Sequence, residues 1–290
     1  MPNHKSQFAW VITALALALL LPAGGCNALE FMPLATAERR LSEDFQTSNA
    51  PTIVIETFNG AIDVSRGGDN QVQVDVVKRA SGIDRAAAEA ALDLVQVSMI
   101  QKGDSLVITA EMVESRPGNF GASIVIAVPA GAQLKMRTSN GHVVCEQVTG
   151  KIAARSSNGK IEIIDGQGEL ELATSNGAIE IDATDAVVDA RTSNGRVEFS
   201  GSLADGAQQF KTSNGRIELT LPDDAQFAFD GHTSHSRIRS DFSVNTDNGR
   251  SRSRDLEGVV GDDRDPKCKI SATSSNGSIV LRKASEADND

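Results

Sequence analysis

Residues 138–145 read Thr138-Ser139-Asn140-Gly141-His142-Val143-Val144-Cys145, and their opening phrase returns along the chain. Ser156-Ser157-Asn158-Gly159, Thr174-Ser175-Asn176-Gly177, Thr192-Ser193-Asn194-Gly195 and Thr212-Ser213-Asn214-Gly215 follow, at Asn-to-Asn intervals of 18, 18, 18 and 20 residues. A degenerate copy runs Thr233-Ser234-His235-Ser236, and Ser274-Ser275-Asn276-Gly277 closes the series. A fixed short period of this kind marks an array of units stacked on their neighbours.

Each copy is flanked by strand-period alternation. Counting from the Asn, positions +3 and +5 are Val143 and Cys145, Ile161 and Ile163, Ile179 and Ile181, Val197 and Phe199, Ile217 and Leu219, and Ile279 and Leu281. Positions −6 and −4 are likewise apolar, from Leu134 and Met136 to Ile270 and Ala272, with Gln208 the exception. Every second residue faces one side of a strand, and the parity changes across Asn-Gly, so the chain turns a corner there. Asn and Gly tolerate left-handed backbone, the conformation expected at such a corner.

Asn-Gly between alternating runs ordinarily signals a hairpin. Here the copies share sequence and register, so like residues stack on like. The expectation is an all-β fold, a single-stranded parallel β-solenoid with rungs of about 18 residues, ~4.8 Å apart. Asn140, Asn158, Asn176, Asn194, Asn214 and Asn276 would form a structural corner ladder.

The T-S-N-G turns followed by I-x-I strands resemble the bacterial putative-adhesin domain family of unknown function, which has a β-solenoid fold. The likeness runs back through Phe58-Asn59-Gly60-Ala61-Ile62-Asp63-Val64 and Ile124-Val125-Ile126-Ala127-Val128-Pro129, so it covers roughly residues 45 to 283. It implies an exported envelope protein without established catalytic residues, some relatives belonging to envelope-stress settings.

The N-terminus has its own logic. Lys5 precedes an apolar run from Phe8 to Leu21, then Ala23-Gly24-Gly25-Cys26. The run matches a signal-peptide core and falls short of the ~20 residues of a spanning helix. The residues before Cys26 resemble the lipobox of bacterial lipoproteins, which implies lipid on Cys26 and cleavage before it. Several acyl chains suffice for stable membrane anchoring. With Asn27 after the Cys, the sorting rule of double-membraned bacteria favours the outer membrane. The domain reading is a signal peptide at 1–25, a lipidated tether at 26–50, and an N-terminal cap of strands and one helix near Asp84 at 51–137. Solenoid repeats follow at 138–283 with a loop insertion at 241–267, then an acidic tail at 284–290.

Composition narrows the function. The 290 residues are 40% hydrophobic, 4% aromatic and 23% charged, with net charge −11. This is too apolar for a disordered chain, and too acidic for generic binding to nucleic acid or to anionic membrane surfaces. Cleavage would remove Trp10 and leave neither Trp nor Tyr, the usual rigid anchors of protein interfaces.

Stacking aligns charges into columns. Position −3 holds Arg137, Arg155, Arg191 and Lys211, interrupted by Ala173, and position +2 holds Lys160, Arg196 and Arg216. Both flank the corner and form a candidate surface for an anionic glycan, Arg being suited to bidentate contact with carboxylate or phosphate. The alternative is compensation by Glu171, Asp189 and the +4 column Glu162, Glu180, Glu198 and Glu218. That Glu column would otherwise suit Ca²⁺, but no calcium loop accompanies it. His232 and His235, with Asp230 and Asp241, are better read as a polar corner than as a metal site. Cys145 and Cys268, some six rungs apart in this scheme, are too distant for a disulfide.

No nucleophile elbow, metal-protease, nucleotide-loop or C-x-x-C signature is present, so no cofactor or metal is called for. The leading expectation is a non-catalytic, lipid-anchored envelope module, adhesin-like, contacting a glycan or protein. The alternatives are a polysaccharide-active β-solenoid enzyme, which would need a carboxylate pair breaking the repeat, and an envelope-stress lipoprotein with a protein partner.

Overall fold

A computed structural model describes residues 35–114, 117–246 and 252–284. The signal peptide, Cys26, the first part of the tether and residues 285–290 of the tail lie outside the described residues. Apart from one short helix and a 3-10 turn, the described chain is all-β, and its strands join in one open 21-stranded sheet.

The N-terminal elements are β1 (Ala35–Gln46), β2 (Thr52–Thr57), β3 (Ile62–Arg66), β4 (Gln71–Gly82), α1 (Arg85–Ala91), β5 (Val95–Lys102), β6 (Ser105–Met112) and β7 (Gly121–Val128). Helix α1 starts where Asp84 accepts the Ala87 N–H at 2.7 Å, the N-cap expected from the sequence. The tether reading of 26–50 is corrected over β1, which pairs antiparallel with β4 from Ala35↔Gly82 to Gln46↔Gln71. Its inward positions include Ala37, Leu41 and Phe45 but also Arg39, which donates to Asp93 at 2.8 Å. Charges on the inward parity mask the strand alternation there.

The cap reading of 51–137 is corrected in part. Within it, β2 and β3 form a leading and a trailing strand around Asn59-Gly60, like a later repeat. They pair in parallel with β6 and β7 on one side. True edge covering is done by antiparallel β5 on β6, and by β4 on β7 with β1 outside it. Such covering caps the parallel rungs with antiparallel strands and leaves β1 and β5 as the edges at this end.

The central repeats comprise β8 (Gln133–Thr138), β9 (Val143–Glu146), β10 (Ile152–Arg155), β11 (Ile161–Ala173), β12 (Ile179–Arg191), β13 (Val197–Leu203), β14 (Gly206–Thr212) and β15 (Ile217–Leu221). Strand β8 pairs in parallel with β2 on one side and β10 on the other, and β9 with β3 and β11. On the trailing side Val143, Ile161, Ile179, Val197 and Ile217 are successive partners. Each is fully buried. The described fold is therefore a β-solenoid-like repeat with its core between the leading and trailing layers. Gln208, the polar exception at −6, is buried because its amide replaces missing backbone bonds: it accepts the Val188 N–H at 2.7 Å and donates to the Ala204 carbonyl at 2.8 Å. The longer 20-residue interval loosens the backbone at this place, and the side chain repairs it.

The C-terminal elements are β16 (Phe227–Thr233), β17 (Ile238–Ser240), β18 (Val244–Asn245), β19 (Asp255–Val260), β20 (Cys268–Ser274) and β21 (Ile279–Lys283). Their spatial order departs from chain order. The last copy, β20 and β21, stacks directly on β14 and β15, and the degenerate copy, β16 and β17, stacks outside it. The insertion at 241–267 is not simply a loop: β19 runs antiparallel to β16 and carries β18 on its other edge. Cys145 and Cys268 are free and buried. The rung count between them is corrected from six to five, since Val143 reaches Ile279 through five pairings, or about 24 Å at ~4.8 Å each.

Candidate ligand-contacting surface

The Asn-Gly corners are built from three interlocking contacts. First, each Asn amide donates to the carbonyl oxygen of the Asn one rung before: Asn158 to Asn140, Asn176 to Asn158, Asn194 to Asn176 and Asn214 to Asn194 at 2.7 Å, and Asn276 to Asn214 at 2.6 Å. Second, the hydroxyl opening each phrase is a buried relay. Thr192 accepts the N–H of Gly195 in its own corner at 3.2 Å and donates to the carbonyl of Gly177 in the previous corner at 3.0 Å. Thr138, Ser156, Thr174, Thr212 and Ser274 repeat both bonds.

Third, the glycines pass too close for a side chain. A Cβ on Gly177 would lie 1.9 Å from the Gly159 carbonyl oxygen, and one on Gly195 would lie 1.7 Å from that of Gly177. The expectation of left-handed backbone at these corners is corrected, because neither the ladder Asn residues nor the glycines that follow them have positive φ. Left-handed residues occur at the opposite turn instead, at Gln147, Asp165 and Asp185 (φ 57°, 51° and 52°). Glycine is selected at the Asn corner by close backbone stacking, a signal carried by the repeat but assigned there to the wrong cause.

Outward charges divide into two sets. On the trailing face the +2 cations and the Glu column interlock. Lys160 contacts Glu162 at 3.0 Å and Glu180 at 2.6 Å, Arg196 contacts Glu180 at 2.6 Å and Glu198 at 2.8 Å, and Arg216 contacts Glu218 at 2.8 Å. Arg282 also holds Glu218. Burial pushes the Glu180 carboxyl up, yet the two cations outweigh it and the net shift is downward. All three +2 candidate cations are thus occupied by carboxylates. A shallow groove of about 570 Å³ runs beside this column past Asp182, Ser200 and Thr220.

The −3 cations stand on the leading face in one column, Arg137 beside Arg155 and Arg191 beside Lys211, with Ala173 between the two pairs. Arg155 bonds Glu171 at 2.5 Å, and Arg191 bonds Asp189 at 2.6 Å and Gln209 at 2.5 Å. Arg137 and Lys211 have no ion pair among the described residues. Compensation on this face is therefore partial.

The histidines do not converge. His232 bonds Asp255 at 2.6 Å, His235 contacts the Ser275 carbonyl at 3.3 Å, and His142 contacts Asp63 at 3.1 Å. Among the described residues no group of three or more His, Cys, Asp or Glu is placed to hold a metal. Burial pushes the Cys145 thiol up to about 12.

Residues 129–282, more than half of the chain, match the family model described as Toastrack DUF4097. The chain belongs to this family. The Toastrack match takes in every ladder Asn and all seven candidate cations. No curated protein matches the sequence. Among solved structures the Toastrack chain is similar to a putative cell adhesion protein from Clostridium sporogenes, with 8% identity and TM-score 0.39 over 85% of this chain and 100% of that one. It is also similar to a putative adhesin from Bacteroides fragilis, at 14% identity and TM-score 0.38 over 85% and 97%. A third similar structure is that of a putative lipid binding protein from Parabacteroides distasonis, at 13% identity and TM-score 0.40 over 85% and 97%. No helix among the described residues is long and apolar enough to cross a membrane.

Proposed function

We propose that this chain is a non-catalytic binding module of the bacterial cell envelope, exported and held at the membrane through lipid on Cys26. In this reading it contacts an anionic glycan along the leading-face column Arg137, Arg155, Arg191 and Lys211. The observation that carries the proposal is the unequal treatment of the two basic columns. The +2 cations are all absorbed by the Glu column, while in the −3 column Arg155 and Arg191 pair with Glu171 and Asp189 and the end members Arg137 and Lys211 have no ion pair among the described residues. A periodic array of this kind offers many equivalent weak contacts to a polymer, and multivalency supplies the affinity.

The array acts in this reading as one continuous parallel solenoid with rungs of about 18 residues, a single rigid support. The like-on-like registers Ile152↔Leu170 and Ile161↔Ile179 favour it. From β1 to β17 the trailing side counts ten pairings, or about 48 Å at ~4.8 Å each, so a lipid near β1 would place the last rung well out from the bilayer. Equivalent outward positions repeat down each face among the described residues, which favours multivalent binding over catalysis at one place.

The test is binding of protein from Asn27 onward to an immobilised carboxylated polysaccharide such as alginate, at low and high salt, beside a variant with Arg137, Arg155, Arg191 and Lys211 all changed to Gln. Salt-sensitive binding lost in the variant is expected. Equal binding by both proteins would move the question to a protein partner. Membrane fractionation of Cys26→Ala tests the anchor separately, with release into the soluble fraction expected.

A further inference from the structure

The outermost copy of the repeat reverses the charge rule of the trailing face, and the reversal makes a hollow. Over four rungs a +4 carboxylate stands in every rung, and together these carboxylates hold the three +2 cations Lys160, Arg196 and Arg216, ending at Glu218. Above Glu218 the same column continues as Val280 and then Arg239. In the neighbouring column Arg237 stands beyond Ser278 and Arg216. The degenerate rung thus carries two arginines where a cation and a carboxylate are the rule.

A second segment completes the site. The chain returning toward β19 crosses this end, where the Ser253 carbonyl accepts the Ile238 N–H at 2.9 Å and the Arg254 carbonyl accepts the Thr233 N–H at 2.9 Å. Those bonds fix Ser253 and Arg254 against the terminal rung. The hollow has a volume of about 620 Å³, and Arg216, Arg237, Arg239 and Arg254 line it with Ser253 and Ser278. No carboxylate lines it. Arg216 keeps its bond to Glu218 at 2.8 Å, while Arg237, Arg239 and Arg254 have no ion pair among the described residues.

We propose that this hollow binds a phosphate oxyanion, either a free phosphate or the phosphodiester of a lipid headgroup. Four guanidiniums around one space repel one another, and with no carboxylate in the lining an anion between them relieves that repulsion. One arginine fork satisfies a planar carboxylate. A tetrahedral anion presents oxygens in several directions, which suits cations arriving from two rungs and a crossing segment. Arginines at 237 and 239 also discourage edge-to-edge pairing of β17, but that role needs neither Arg254 nor the serine hydroxyls on the same hollow.

The experiment titrates the full chain, purified in non-ionic detergent, with inorganic phosphate and, in a separate arm, with glycerophosphoglycerol as the headgroup fragment. Calorimetry at low salt gives the affinity, and circular dichroism checks the fold of each variant. Saturable binding of at least one probe is expected, weakened about tenfold or more in R237Q/R239Q and in R254Q as charge-assisted bonds are lost. The variant with the four leading-face cations changed to Gln retains it, which separates this site from the glycan surface. Preference for the phosphodiester assigns a headgroup, and preference for inorganic phosphate a soluble ligand. Absence of binding by the unmodified chain, or equal binding by folded R237Q/R239Q, overturns the proposal.

Discussion

Asn276 donates its side-chain amide to Asn214 at 2.6 Å across 62 residues of sequence, and so seats the last repeat in the interior of the stack. The chain passes outward to β16 and β17, then comes back to fill the place between them and the rung of Asn214. Ile270, Ala272, Ile279 and Leu281 of that rung are buried at 0–2% exposure. Each large side chain among them contributes about 1.5–3 kcal/mol. A chain ending after Lys267 should therefore lose hydrogen-exchange protection throughout 206–260, while β8 to β12 keep theirs. Retained protection over 227–240 would show that the last copy is a dispensable outer rung.

The corner contacts predict a ranking of stability losses. Gly177→Ala forces a Cβ to within 1.9 Å of a backbone oxygen that cannot step aside, so the rungs must part, at a cost of about 3 kcal/mol. Thr192→Val keeps the shape but strands the Gly195 N–H and the Gly177 carbonyl, costing about 2 kcal/mol. Asn176→Ala loses two exposed ladder bonds, at about 1 kcal/mol. Urea midpoints followed by circular dichroism check the order. A larger loss for Asn176→Ala than for Gly177→Ala would mean that the amide ladder, not backbone stacking, holds the corner.

Much of this was legible because a repeat reports its register by itself: Ile161, Ile179 and Val197 had to be neighbours once the period was known. Three things were not. Strand β1 hid behind Arg39 on its inward parity, where an ion pair with Asp93 makes the charge tolerable. The intercalated last rung left no trace, since the sequence 274–277 fits either side of the degenerate copy. The arginine hollow depends on that order, because it needs Arg237 and Arg239 to stand outside Ser278 and Val280 and to meet a crossing segment. Periodicity places residues within a unit, and long-range pairing decides which units meet.

Thiol chemistry offers a simple check on the core. Burial pushes Cys145 up to about 12, and burial followed by the nearby Asp205 charge pushes Cys268 up to about 11, partly opposed by Gln208. Only thiolate reacts with iodoacetamide, so both residues should stay unlabelled at pH 8 in native protein and label fully in denaturant. Peptide mass spectrometry reads each site separately. Native labelling of Cys145 would place it outside the layer shared with Val64 and Ile163.

Two neighbouring acids on the trailing face should titrate with opposite effects on stability. Burial, then the charge of Asp165, raises the Asp182 carboxyl above its usual range. The folded chain therefore binds that proton more tightly than the unfolded one, and Asp182 subtracts stability at neutral pH that is recovered as pH falls through its folded pKa. Asp182→Asn should raise Tm at pH 7, with the gain vanishing in acid. At Glu180, burial acts upward but Lys160 and Arg196 carry the net shift down. Its stabilising charge is present above the unfolded pKa and is lost as pH falls through the folded one, so Glu180→Gln should lower Tm at pH 7 and converge with the unmodified chain in acid. Both carboxyls are substantially solvated, which keeps the changes small. Thermal melts from pH 7 down into acid follow both changes. A Tm gain for Asp182→Asn that stays constant across the range would show that its carboxylate feels neither burial nor Asp165.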